Sequence, residues 1–200
     1  MLQLFLKGGP LMWPLLILSV LTLTVALDRL WFLYQEAQRR RPADLERLLS
    51  QVEKGDIEAA VAQGQVSPDF IVRVLSYALA HREVSLSNAY LQAAEREIKR
   101  FSRGLAVLDT VITLAPLLGL LGTVVGLIHS FSIMGDQELQ APAALTGGIA
   151  EALIATAFGM IIAVSALLPF NFLNARVDEA RHQLEDSGTQ AELLLLRKRT

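Results

Sequence analysis

Gly147-Gly148-Ile149-Ala150-Glu151-Ala152-Leu153-Ile154-Ala155-Thr156-Ala157 sets one carboxylate in an apolar run, and no other ionisable residue lies between Glu138 and Arg176. A carboxylate at bilayer depth costs at least ~2.5 kcal/mol and marks a functional position by default. Small residues flank it at helical spacing: Gly148, Ala152, Ala155 and Gly159, continued by Ala163 and Ala166. Such a stripe lets a second backbone approach closely, which is how helices associate within lipid. Glu151 lies three residues after Gly148 and four before Ala155, so it borders that contact and does not face acyl chains.

The run belongs to an apolar block over residues 143–173, preceded by a second block over 105–134. Both exceed the ~20 residues a helix needs to span a bilayer, so they tilt or project beyond it. A further block, from about Leu11 to Leu27, just suffices, with Pro10 and Pro14 at its start, where helices tolerate proline. Only Lys7 precedes it and Arg39-Arg40-Arg41 follows, an order that fits an uncleaved anchor better than a cleaved signal peptide. Hydrophobic residues make up 52% of the 200, and this concentration in three blocks predicts an all-α integral membrane protein.

Charge orients the spans. Arg29 and Arg39 to Arg41 follow the first; Arg96, Lys99, Arg100 and Arg103 precede the second; Arg176 and Arg181 follow the third. The connection Gly135–Pro142 carries two acids and no base. The positive-inside rule then puts the N-terminus and the 135–142 hairpin outside, with residues 29–104 and 174–200 in the cytoplasm. Residues 1–28 hold the first span. The middle region reads as helical, with Pro42-Ala43-Asp44 and Gly55-Asp56 punctuating two short amphipathic helices. Ser67 is the expected cap of a third, with Pro68 in its first turn and Val66 stapled to Ile71. From about Ser87 no breaker appears until Gly104, which predicts one long helix entering the second span. The tail reads as a helix with a solvated charged face, and the whole as a single structural unit.

Within the second span, Gly119, Thr123, Gly126 and Ser130 recur at steps of four, three and four and share a face. Thr156 lies about 140° around its helix from Glu151, so the two cannot line one straight file. Thr123 or an adjoining subunit must close any shared path, since hydroxyls both donate and accept hydrogen bonds and can relay protons. Asp109 reads as an interfacial or ion-paired residue, with a role on the cytoplasmic exit side as the alternative.

Several functions are disfavoured. Cysteine is absent, and His81, His129 and His182 are scattered, so no metal or cofactor is expected. A net charge of −2 gives no reason to expect nucleic acid. No nucleophile elbow, phosphate loop or His-Glu-x-x-His motif occurs, and an enzyme is not expected.

Leu114-Ala115-Pro116-Leu117-Leu118-Gly119-Leu120-Leu121-Gly122-Thr123-Val124-Val125-Gly126, followed by Gly148-Ile149-Ala150-Glu151-Ala152-Leu153-Ile154-Ala155-Thr156-Ala157, closely resembles the ExbB/TolQ/MotA proton-channel family. Three spans bring the chain nearer ExbB and TolQ than MotA. The resemblance implies a pentameric ring in a Gram-negative type inner membrane, enclosing single-span ExbD- or TolR-like helices that carry an aspartate. Glu151, Thr123 and Thr156 correspond to the polar residues around the proton path. Pro116, Gly119, Gly122, Gly126, Gly148, Ala152, Ala155 and Gly159 would pack helices or line the pore. The implied function couples proton-motive force, through a TonB- or TolA-like protein, to outer-membrane transport. The alternatives are a TolQ-like role in envelope integrity, a structural scaffold, or a small-ion transporter acting alone.

Overall fold

A computed structural model describes Phe5, residues 7–134 and residues 141–199; most of the expected 135–142 hairpin lies outside the described residues. The described residues form α1 (Met12–Arg39), α2 (Pro42–Lys54), α3 (Ile57–Val66), α4 (Phe70–Ala80), α5 (Arg82–Phe101), α6 (Leu105–Met134) and α7 (Ala141–Arg199). Three of these, α1, α6 and α7, are long and apolar enough to cross a membrane.

Local chemistry explains most boundaries. Pro42 begins α2 in its first turn, and Gly55, with φ of 85°, ends it by donating its N–H to the Gln51 and Val52 carbonyls. Asp56 then caps α3 by accepting the Ala59 N–H at 3.1 Å. Two expectations are corrected. The cap of α4 is Asp69, which accepts the Ile71 N–H at 2.9 Å, whereas Ser67 closes α3 and Val66 is exposed, so no staple forms. The fully buried Asp69 carboxylate also accepts Arg40 Nη1 on both oxygens at 2.6 Å and the Arg41 N–H at 2.8 Å. With its backbone extended to serve that cluster, the helix cannot begin before Phe70. Nor is α5 continuous with α6: the chain breaks at residues 102–104, where Gly104 adopts φ of 86°.

The chain forms two compact units, not the single one expected: Met1–Asp28 with Gly104–Phe172, and Arg29–Arg103 with Leu173–Thr200. In the first, Met12, Leu15 and Leu18 of α1 meet Val111 and Ala115 of α6 and Ile162, Ala163 and Ala166 of α7. Between α6 and α7 the backbones nearly touch. A Cβ on Gly159 would stand 2.5 Å from the Ala115 carbonyl oxygen, and one on Gly119 3.0 Å from Thr156 Cα. A Cβ on Gly126 would lie 3.0 Å from that of Ala152. The buried stripe of α6 runs through Gly119, Gly122, Gly126 and Ser130; Thr123 is half-buried at its margin instead of within it. Ile17, Leu23, Leu117, Ile128, Leu153 and Leu168 point outward, as lipid-facing residues do.

The second unit has a water-soluble type of core. Leu48 and Val52 of α2, Ala60 of α3 and Ile71, Leu75 and Leu79 of α4 are buried. Glu36 of α1, 3% exposed, meets Arg100 at 2.7 Å and Arg73 at 4.0 Å, while Glu97 pairs with both arginines at 3.0 and 2.9 Å. The last part of α7 buries Leu173, Val177, Ala180, Leu184, Ser187 and Ala191 at alternating steps of four and three. Tyr90 of α5 donates its hydroxyl to the Leu184 carbonyl, and burial pushes that phenol above its ordinary range.

Three substitutions test this packing. Gly159→Ala is expected to destabilise the protein by ~1–3 kcal/mol by forcing α6 and α7 apart. Gly147→Ala, which meets nothing within 4 Å, is expected to gain up to ~1 kcal/mol from helix propensity; thermal unfolding in detergent should move the two in opposite directions. Asp69→Ala leaves Arg40 unpaired and should lower stability by ~3 kcal/mol, read by chemical denaturation.

Candidate functional site

Glu151 sits on α7, half-buried, on the side of that helix turned toward the start of α1. The residues just before α1 cover it. Gly9 has φ of 73°, and a Cβ there would overlap the Glu151 carboxylate oxygen Oε1. A Cβ on the preceding Gly8 would lie 3.1 Å from Ile154 Cγ2, one turn further along α7. Gly9 is therefore fixed twice, by a left-handed backbone and by lack of room. Among the described residues, no hydrogen bond or ion pair reaches the Glu151 carboxylate. That is an uncommon condition for a carboxyl in an apolar helix, and it leaves the hydrogen-bonding capacity of the group unfilled within the chain.

Thr156 lies on the flank of α7 that faces α6. Its hydroxyl donates to the Gly119 carbonyl at 2.8 Å, a hydrogen bond between two membrane-type helices. The contact is possible because Gly119 lacks a side chain to hold α7 away. Thr123, by contrast, donates to the Leu120 carbonyl of its own helix at 2.7 Å. Ser130 does likewise with Gly126 at 2.8 Å, and a Cβ on Gly148 would overlap its hydroxyl.

The expected site residues thus fall into three arrangements. Gly119, Gly122, Gly126, Gly148, Ala152, Ala155 and Gly159 build the α6–α7 contact itself. Glu151 and Thr156 project to different sides of α7, the first against Gly9 and the second against Gly119, so no direct bond joins them. Thr123 lies near their level on α6, because Gly122 packs on Ala155 and Gly126 on Ala152. Pro116 is half-buried within α6, and Asp109 is exposed well down the same helix. Sequence reasoning missed the Gly8-Gly9 turn; the only signal was two glycines ahead of Pro10. It also passed over Thr113, whose hydroxyl donates to the Asp109 and Thr110 carbonyls at 3.2 and 3.0 Å.

Chemically, the constellation offers a carboxyl that can bind and release a proton, beside hydroxyls able to pass one. No single chain joins them into a continuous wire. Any transfer between them needs water or groups from a neighbouring chain.

Comparison with known proteins gives this geometry a context. Residues 57–186 match the MotA/TolQ/ExbB proton channel family. The chain is 39% identical to an ExbB-like biopolymer transport protein of Synechocystis sp., over 95% of this chain and 77% of that one. It is 42% identical to biopolymer transport protein ExbB of Neisseria gonorrhoeae, over 38% of this chain and 35% of that one. It is 38% identical to the Tol-Pal system protein TolQ of Haemophilus influenzae, over 43% of this chain and 38% of that one.

The Thr156 bond can be weighed directly. Thr156→Val keeps the shape and removes the donor, so stability should fall by roughly 0.6 kcal/mol and by no more than about 1.7 kcal/mol. Thr156→Ser should retain the native value, with thermal unfolding in detergent as the measurement.

Proposed function

The chain belongs to the MotA/TolQ/ExbB proton channel family, and on that premise we propose that it drives outer-membrane transport as the ExbB-like subunit of an energy-transducing complex. It is a multi-pass membrane protein of ExbB/TolQ type. The observation that carries the mechanism is Glu151: a half-buried carboxyl in an apolar helix with no partner among the described residues. A group so placed accepts a proton from one side of the membrane and gives it up toward the other.

In this reading several copies, five by family resemblance, enclose single-span ExbD- or TolR-like helices that carry an aspartate. Glu151, covered here by Gly9, would reach those helices only through water or their aspartate, with Thr123 and Thr156 near its level on the α6 side. A proton crossing ~150 mV releases about 3.5 kcal/mol, enough to bias a conformational step by a few hundredfold. The rigid α6–α7 contact would carry that bias to the partner and on to a TonB-like protein. The charge pattern supports an inner-membrane orientation with the N-terminus outside and residues 29–104 and 174–200 in the cytoplasm.

The ExbB role is the reading adopted, supported by an ExbB-like relative that aligns along 95% of the chain. A TolQ-like role is its alternative, since ExbB of Neisseria gonorrhoeae and TolQ of Haemophilus influenzae cover similar shares of this chain, 38% and 43%. A scaffold function would need Glu151 only as a polar tie between helices, and no such tie is formed among the described residues.

Glu151→Gln separates these readings. The amide keeps shape and hydrogen bonding but cannot titrate. Proton-driven transport in cells co-expressing the partner should fall by roughly a hundredfold or more, with the oligomer still assembled on native gels. Retained transport would return the protein to the scaffold reading.

A further inference from the structure

We infer that Asp109, together with Thr113 and the backbone carbonyl that Pro116 leaves free, forms a second proton-handling site at the Gly104 end of α6, open to water and not to acyl chains. The inference rests on the proton-channel reading above and extends it to the far end of the span.

Three faces of α6 lead to this conclusion. Leu108, Val111, Ala115, Gly119 and Gly122 are buried within the unit. Leu117, Leu121, Val124 and Ile128 form an exposed apolar face suited to lipid. Asp109, Thr113, Pro116, Leu120 and Thr123 recur at steps of four, three, four and three, and so share the remaining face. Asp109 and Thr113 are exposed at its Gly104 end, Pro116 and Thr123 are half-buried, and the exposed Leu120 closes the polar stretch beyond Pro116. Among the described residues, no hydrogen bond or ion pair reaches the Asp109 carboxylate, so the expected ion-paired role finds no support.

Pro116 adds a second polar group that water would suit. It has no N–H, so the Ile112 carbonyl one turn below loses its helical donor. No side-chain donor reaches that carbonyl among the described residues. Hydrocarbon leaves a free carbonyl and a bare carboxylate unsatisfied at high energy, whereas water satisfies both. The two groups lie less than one turn apart on the same helix.

Position then gives the site its use. Gly126 marks the level of Glu151, because it packs on Ala152 and Gly148. Seventeen residues separate Gly126 from Asp109, about 26 Å along the axis. A carboxyl at Glu151 cannot deliver a proton over that distance alone. At Asp109 the carboxylate takes a proton from hydronium in the water lane, leaving a neutral acid and a water molecule. Release to bulk water reverses the balance and restores carboxylate and hydronium.

The chain has no cysteine, so single substitutions report their own surroundings. Asp109→Cys, Thr113→Cys, Leu117→Cys and Leu121→Cys would each be exposed, in the complex with its partner in inverted membrane vesicles, to a membrane-impermeant methanethiosulfonate. The first two should react at least roughly tenfold faster than the leucine replacements, because only a hydrated thiol ionises. Equal, slow labelling of all four would overturn the lane. Thr113→Cys serves if Asp109→Cys does not assemble. In parallel, Asp109→Asn should lower proton flux by roughly a hundredfold and Asp109→Glu should restore it; full flux in Asp109→Asn overturns the inference. If Glu151→Gln abolishes flux while Asp109→Asn keeps it, the inference fails and the proton-channel reading survives. If Glu151→Gln keeps flux, both fall.

Discussion

The near-contact of two backbones, α6 against α7, is the constraint on which the membrane unit depends. Within lipid no hydrophobic effect pushes helices together, so close van der Waals fit and a few polar contacts must suffice. Gly119, Gly122, Gly126 and Gly159 provide that fit, and a methyl group on any of them would strike the opposite helix. The same closeness brings the Thr156 hydroxyl within 2.8 Å of the Gly119 carbonyl. It also fixes the rotation of α7 about its own axis, which directs Glu151 toward Gly9. A looser pair of helices would leave the carboxyl without a defined surrounding.

The second unit is held by a different balance. There water is excluded from an ordinary apolar core, and specificity comes from buried charge. Asp69 satisfies Arg40, the Arg41 N–H and the first turn of α4 at once. Glu36 answers two arginines from α4 and α5. Removing one member of such a set strands the others, so these clusters define which helix ends meet even if their net contribution to stability is small. Arg40 and Arg100 also lie over the rings of Phe70 and Phe32 at 5.1 and 5.0 Å, adding cation–π attraction to the same corners.

Periodicity made the membrane architecture legible before any coordinates. Three apolar helices, the small-residue stripes and a single carboxyl beside one of them all follow from spacing along the chain. What stayed hidden was nonlocal. Ser67 and Asp69 are both good caps, and only the distant Arg40 decides between them. Gly104 could pass for a glycine tolerated inside one long helix, and only its left-handed backbone shows that α5 and α6 are separate. The turn over Glu151 joins residues more than 140 positions apart, beyond the reach of local pattern. Spacing puts Thr123 on one face with Gly119, Gly126 and Ser130 as readily as Gly122, and packing buries Gly122 there. The split into two units was also missed, because α1 and α7 run through the boundary without a breaker.

Most hydroxyls of the apolar helices are already content at home. Thr22, Thr110, Thr123, Ser130 and Ser165 all donate to a carbonyl three or four residues back in their own helix. Thr156 alone among these donates across to another helix, and in a lone helix it could turn back in the same way. Each segment can therefore leave the translocation machinery and enter the bilayer singly with those hydroxyls satisfied. Helix pairing can wait until all three have been threaded, and the Thr156 hydroxyl changes acceptor only when α6 and α7 finally meet.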